Sequence, residues 1–204
     1  MAIKTFTSGS VLTASDTNTY LANAGLVAVT PSAVTNGTII SGTASATVNA
    51  TQSTVVLKDV FSSTFDSYRV VISNLTMSST ANGTYVAFKM HDGTNPANSN
   101  YNTSFVRVDE ASGAVSGNTF TAFVGGVVIG YGTGDKFGTT FDVVNPNLAT
   151  HTLFPSLTGV NITTGYMSMG AGMHQTSTAY TSLQLAPSTG TITGGTITVY
   201  GYRK

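Results

Sequence analysis

From Val55 to the end of the chain, short apolar-rich runs follow one another, divided by turn dipeptides such as Asn82-Gly83, Asp92-Gly93, Ser112-Gly113 and Gly134-Asp135. Gly and Asn reach positive φ at little cost, and Asp and Ser side chains bond to nearby backbone, so such pairs reverse a chain. In one run Val86, Phe88 and Met90 alternate with Tyr85, Ala87, Lys89 and His91, the period of a half-buried strand. Thr, Val and Ile together number 65 against ten Leu, and β-branched side chains lose less freedom in strands than in helices. The pattern predicts strands over 54–60, 68–77, 84–91, 101–109, 119–129, 137–144, 161–169, 179–185 and 191–202. Strands at this spacing describe an all-β fold, here a jelly-roll-like β-sandwich over residues 53–204.

Several classes of function are excluded by what the chain lacks. The longest apolar run, residues 122–130, is broken by Gly125-Gly126, whereas a membrane helix needs about 20 apolar residues. Eight positive charges balance eight negative ones, so no basic excess exists to bind nucleic acid by releasing counterions. Cysteine is absent, which removes disulfides, thiolate zinc sites and Cys nucleophiles together. No apolar stretch follows Met1-Ala2-Ile3-Lys4-Thr5, so no secretory signal is expected and synthesis is cytoplasmic.

Charge is also unevenly placed. Residues 17–57 and 143–202 carry none, and only 8% of the chain is charged, against about a quarter in an ordinary soluble domain. Sixty consecutive uncharged residues predict a surface that meets protein rather than water. A closed arrangement of copies buries such faces without open-ended growth. The expectation is a homotrimer in which Ile192, Ile197, Val199, Tyr200 and Tyr202 of the last strand contribute to the subunit contact.

The first 26 residues differ from the rest. Thr13-Ala14-Ser15-Asp16 is a helix start signal, with Thr13 able to accept from an early N–H and Asp16 favoured by the positive helix end. Tyr20, Leu21 and Ala24 then form a narrow apolar stripe, and Gly25 suits the stop. A helix of two to three turns is expected, too short to be stable alone. With Phe6, Val11 and Leu12 upstream, the segment needs a partner surface, and Phe6, Val11, Leu12, Tyr20 and Leu21 are its anchor residues. Residues 27–52, mainly Ala, Thr, Ser, Asn, Val and Gly, read as a low-complexity extended linker or weak edge strands.

The opening Phe6-Thr7-Ser8-Gly9-Ser10-Val11-Leu12-Thr13-Ala14-Ser15-Asp16-Thr17-Asn18-Thr19-Tyr20-Leu21 resembles the N-terminal segment of bacteriophage tail-fibre and minor tail proteins. Val60-Phe61-Ser62-Ser63-Thr64-Phe65-Asp66-Ser67-Tyr68-Arg69-Val70 is similar to the first strands of the β-sandwich in related phage structural proteins, and Val199-Tyr200-Gly201-Tyr202-Arg203-Lys204 resembles their common last strand. The resemblance implies a structural role in a virion, trimers, and attachment of residues 1–26 to another virion protein. Capsid decoration or head-fibre proteins, and a receptor-binding glycan module, are the alternatives it leaves open.

The chain offers little chemistry of its own. Asp109 and Glu110 are adjacent on a predicted strand and so point to opposite faces, whereas a glycosidase pair must flank one bond at about 5–9 Å. His91, His151 and His174 show no metal-ligand spacing and read as strand-end or loop residues. No G-x-S-x-G elbow is present. Gly130-Tyr131-Gly132-Thr133-Gly134-Asp135 is followed by a predicted strand rather than the helix a dinucleotide loop requires. The expectation is a protein that is not an enzyme and holds no cofactor or metal. Tyr101, Tyr131, Tyr166 and Tyr180 lie in or beside predicted loops, either as structural rings or as platforms for a host glycan.

Overall fold

In β11 (Phe137–Val144) the side chains of Phe137, Thr139, Phe141 and Val143 are buried, while Gly138, Thr140, Asp142 and Val144 are half-buried on the other face. That two-residue period repeats across the molecule and yields two stacked sheets, the all-β sandwich that the alternation demands. The computed structural model describes residues 8–9, 11, 13, 25–49, 51–79, 85–109, 112–121, 127–131, 136–161 and 166–203.

The larger sheet runs in the order β3 (Gly37–Ile39), β4 (Ser45–Val48), β15 (Ile192–Tyr202), β6 (Ser67–Met77), β11, β12 (Thr152–Asn161), β13 (Tyr166–His174), β8 (Tyr101–Asp109) and β9 (Val115–Thr121), with β1 (Leu26–Val29) also paired to β15. The smaller sheet runs β10 (Val127–Tyr131), β7 (Tyr85–His91), β14 (Ser182–Pro187), β5 (Val55–Lys58) and β2 (Ala33–Thr35). The strand pairs are antiparallel. Val86, Phe88 and Met90 of β7, with Leu57, Leu183 and Leu185, face Tyr68, Val70, Ile72, Phe141, Val143 and Phe154 of the larger sheet. The Phe88 ring stands edge-on to Phe141 at 4.8 Å and to Phe154 at 5.6 Å between centroids. One aromatic side chain from the small sheet thus fills the seam between two strands of the large one.

Residues 27–52 resolve toward edge strands rather than a free linker. β1 pairs with β15, β2 with β5, and β3–β4 extend the larger sheet, with Ala46 and Val48 buried in the common core. The expected N-terminal helix over 17–24 lies outside the described residues; among the described residues there is no helix. The strand expected over 119–129 is shared between two strands in different sheets, β9 and β10. The strand expected over 161–169 is likewise the end of β12 and the start of β13. β12 escaped the pattern because Pro155 breaks the strand signal. Register shifts between Phe154 and Leu157 against β13 place that proline at a bulge, where a ladder N–H is not needed.

Two local devices set the sheet's geometry. Tyr68 is fully buried, and its hydroxyl donates to the Ser62 carbonyl at 2.7 Å and accepts from the Ser62 N–H at 2.6 Å. It pins the loop before β6, where Phe61 and Phe65 pack edge-on around its ring. Further along β6, Asn74 has φ 52° and the inward phase skips from Ile72 to Leu75 and Met77. The registers to both neighbours shift at this bulge.

Candidate functional site

Tyr101 and Tyr180, expected in or beside loops either as structural rings or as glycan platforms, are buried structural rings. Tyr101 ends up only 1% exposed and its hydroxyl accepts from the Met90 N–H at 2.7 Å. Tyr180 is 6% exposed, with its hydroxyl 3.2 Å from Thr176 Oγ1. Both rings pack on His174, at 4.3 and 5.3 Å between centroids, so neither is free to stack on a sugar. Tyr101 takes an inward position of β8 and Tyr180 lies just before β14, and alternation in the residues leaves undecided which face is covered. Tyr131 and Tyr166 lie on β10 and β13 by their backbone, and their side chains lie outside the described ones.

His174 is the chemically unusual member of this cluster. It is fully buried, Thr176 Oγ1 lies 3.0 Å from its Nδ1, and its Nε2 has no well-formed hydrogen bond. Burial lowers its pKa below the ordinary 6.5, against a weaker opposite pull from the Ser99 main chain. Burial lowers that of His91 as well, although neighbouring Asp92 opposes it. The folded protein keeps both rings neutral where the unfolded chain would protonate them. Their contribution to stability is therefore complete above about pH 6.5 and declines as pH falls through that value. Denaturant titrations between pH 7.5 and pH 5 are expected to show this decline, with a shallower slope in His174→Gln; an unchanged slope would mean that His174 is not titrating from a buried neutral state.

Three of the five residues expected in the subunit contact on the last strand are corrected. Ile192, Ile197 and Val199 are fully buried within the protein's own core, because odd and even positions of β15 face opposite sides and these three fall inward across its bulges. Tyr200 and Tyr202 are half-buried on the other face. Arg69 there forms a two-point ion pair with Asp142, Nε to Oδ1 at 2.8 Å and Nη2 to Oδ2 at 2.9 Å. The Tyr202 hydroxyl donates to Asp142 Oδ1 at 2.9 Å, and the guanidinium lies 5.5 Å from the centre of the Tyr202 ring. The bond from Arg69 holds the Asp142 carboxyl below its usual range, with Tyr202 assisting against partial burial.

Other carboxylates are occupied in turns. Asp92 Oδ1 accepts from the N–H groups of Thr94 and Asn95, Asp109 Oδ1 accepts from Ser112 N–H, and Asp59 accepts from the Ser32 hydroxyl. Among the described residues no group of three or more His, Asp or Glu is placed to hold a metal. Glu110 lies outside the described residues, as do the anchor positions Phe6, Leu12, Tyr20 and Leu21. Val11, the remaining anchor position, is 81% exposed.

The feature sequence reasoning missed is an apolar surface. Tyr101, Thr103 and Phe105 of β8 point inward, so Val106 and Val108 point out. Val106 lies opposite Met169 of β13 and Gly117 of β9, while Val108 lies opposite Met167 and Val115. Val106, Val115, Met167 and Met169 are exposed, the last 68%, and Leu153 of β12, opposite Met173, continues the patch. The available signal was Met167-x-Met169 and Val106-x-Val108, apolar positions that alternate with Ser168 and Arg107 and so share one face of their strands.

No family model matches the chain, and no match is found among curated proteins. Among solved structures it is similar to a GH43 glycoside hydrolase engineered to display both endo-xylanase and exo-arabinofuranosidase activity, with 12% identity and a TM-score of 0.34 over 78% of this chain and 34% of that one. It is also similar to an HCR/D mutant, with 8% identity and a TM-score of 0.27 over 85% and 47% of the two chains. A third likeness is to the laminarinase from Rhodothermus marinus, with 9% identity and a TM-score of 0.27 over 83% and 81%. The chain spans about a third of the length of the first of these, and likeness at this level carries no argument about activity.

Proposed function

We propose that the protein is a structural component of a bacteriophage virion, a small tail-fibre or tail-associated appendage whose N-terminal segment docks on another virion protein and whose jelly-roll-like sandwich projects as a homotrimer. The observation that carries this reading is the meeting of two of the segments that resemble phage appendage proteins, residues 60–70 and 199–203, beside the point where the chain emerges from its N-terminal segment. Gly201 and Tyr202 of the last strand pair with Tyr68 and Ser67 of β6, and the Phe65 ring packs so closely on Gly201 that a Cβ there would lie 2.4 Å away. On the other side of β15, Leu26 pairs with Tyr202, and the Gly25 carbonyl accepts from the Arg203 N–H at 3.2 Å. Gly25 and β1 therefore lie at a sheet edge beside the C-terminal strand.

Docking takes the anchor residues out of water, and each large apolar side chain so buried contributes about 1.5–3 kcal/mol. Because β1 belongs to the sandwich, the informative truncation removes residues 1–24 and keeps Gly25. Its expected product is a folded, soluble sandwich with the parent's melting temperature that no longer enters virions. Unfolding or aggregation of the truncated protein would instead assign the segment to the sandwich's own core. Immunolabelling of intact particles separates a tail position from a head position.

A further inference from the structure

We propose that the outer face of β12, β13, β8 and β9 is the surface through which copies of this chain associate, with Val106, Val115, Met167 and Met169 at its centre. The proposal rests on the self-associating appendage put forward above and gives it a different surface from the last strand.

Three observations favour a second copy of the chain as the occupant. The first is charge. Around a symmetry axis each residue meets its own image, so any charge there would repel itself. The outward positions of β8 are Asn102, Ser104, Val106 and Val108, and those facing them on β13 are Met173, Ala171, Met169 and Met167. None is charged; Arg107 and Asp109 alternate onto the opposite face. The second is size. Four strands about 4.8 Å apart and six residues long at about 3.3 Å each present about 400 Å². That whole face, polar positions included, is about half of what each partner contributes to a stable interface. Val106, Val115, Met167 and Met169 supply its apolar centre, and the uncharged Asn102 and Ser104 lie toward its rim. The third is chemistry. Methionine side chains are flexible enough to fill one another's gaps without a partner of dedicated shape, and Met167 and Met169 are neighbours on this face, with Met173 further along the same strand. Beyond the patch β9 is an edge strand that pairs only with β8 among the described residues, leaving that side open to a neighbour.

The test uses the full chain. Light scattering across a concentration series is expected to give an oligomer for the parent protein, and Met169→Lys or Val106→Lys is expected to lower its mass about threefold if the closed assembly is a trimer. Circular dichroism checks that each variant still unfolds cooperatively. Because the chain has no cysteine, Met169→Cys supplies a milder second measurement: a short bismaleimide linker is expected to join copies through that position. An oligomeric parent whose lysine variants keep its mass, and whose Met169→Cys form does not cross-link, would overturn this surface while leaving self-association standing. A monomeric parent at all concentrations would overturn both. A parent that is monomeric until residues 1–24 are removed would show that the N-terminal segment covers the face, and that outcome also overturns the proposal.

Discussion

Replacing Phe88 by Ala is expected to destabilise the fold by about 3–5 kcal/mol, the usual cost of emptying a large buried aromatic site. The ring is fully buried and edge-on to both Phe141 and Phe154. It comes from the small sheet, while its two partners come from adjacent strands of the large one. A cavity there cannot close by one side chain relaxing, because both partners are held by strand ladders. For a chain of this size each kcal/mol moves Tm by about 2–4 °C, so a shift of about 6–20 °C is expected. A loss below about 1 kcal/mol would mean that the sheets are not joined through this ring.

The second large effect is expected at Gly195, where Ala should cost at least the about 1–3 kcal/mol of a strained backbone residue. Gly195 has φ 132°, a conformation that side-chain-bearing residues rarely adopt. A Cβ there would also lie 2.8 Å from Leu75 Cδ1 and 2.9 Å from Leu75 Cα. Leu75 is the residue that the Asn74 bulge turns back into the core. The bulge in β6 and the glycine in β15 are thus two halves of one device, and relief of the clash would push Leu75 out of its site. Chemical denaturation of Gly195→Ala measures this directly; a midpoint equal to the parent's would show that the two strands can separate here at no cost.

Fold class was legible in the residues because its signal is local. β-branched side chains, two-residue alternation and turn pairs act within a few positions, so β8 and β11 fall where the alternation places them. Turn chemistry was legible for the same reason: Asp92 and Gly93 form the expected reversal, with Gly93 at φ 99°. Pro155 hid β12 because a proline argues against a ladder unless the chain bulges, and the bulge is set by registers to its neighbours.

The sites were less legible, since alternation divides a strand into two faces without saying which one is covered. Covering depends on a partner far away in the chain. Ile192, Ile197 and Val199 are removed from any subunit contact because they share one core with residues of β5, β7 and β14. Tyr101 is removed from any glycan because the Met90 N–H and the His174 ring close over it. Conversely Met167 and Met169 are left exposed because the small sheet packs on only one side of the large one. The residues by themselves determined that this chain makes strands and carries too few charges for an ordinary wet surface. Only the stacking of the two sheets decided which of its apolar faces became core and which was left exposed, because burial is a property of pairs of surfaces and not of either one alone.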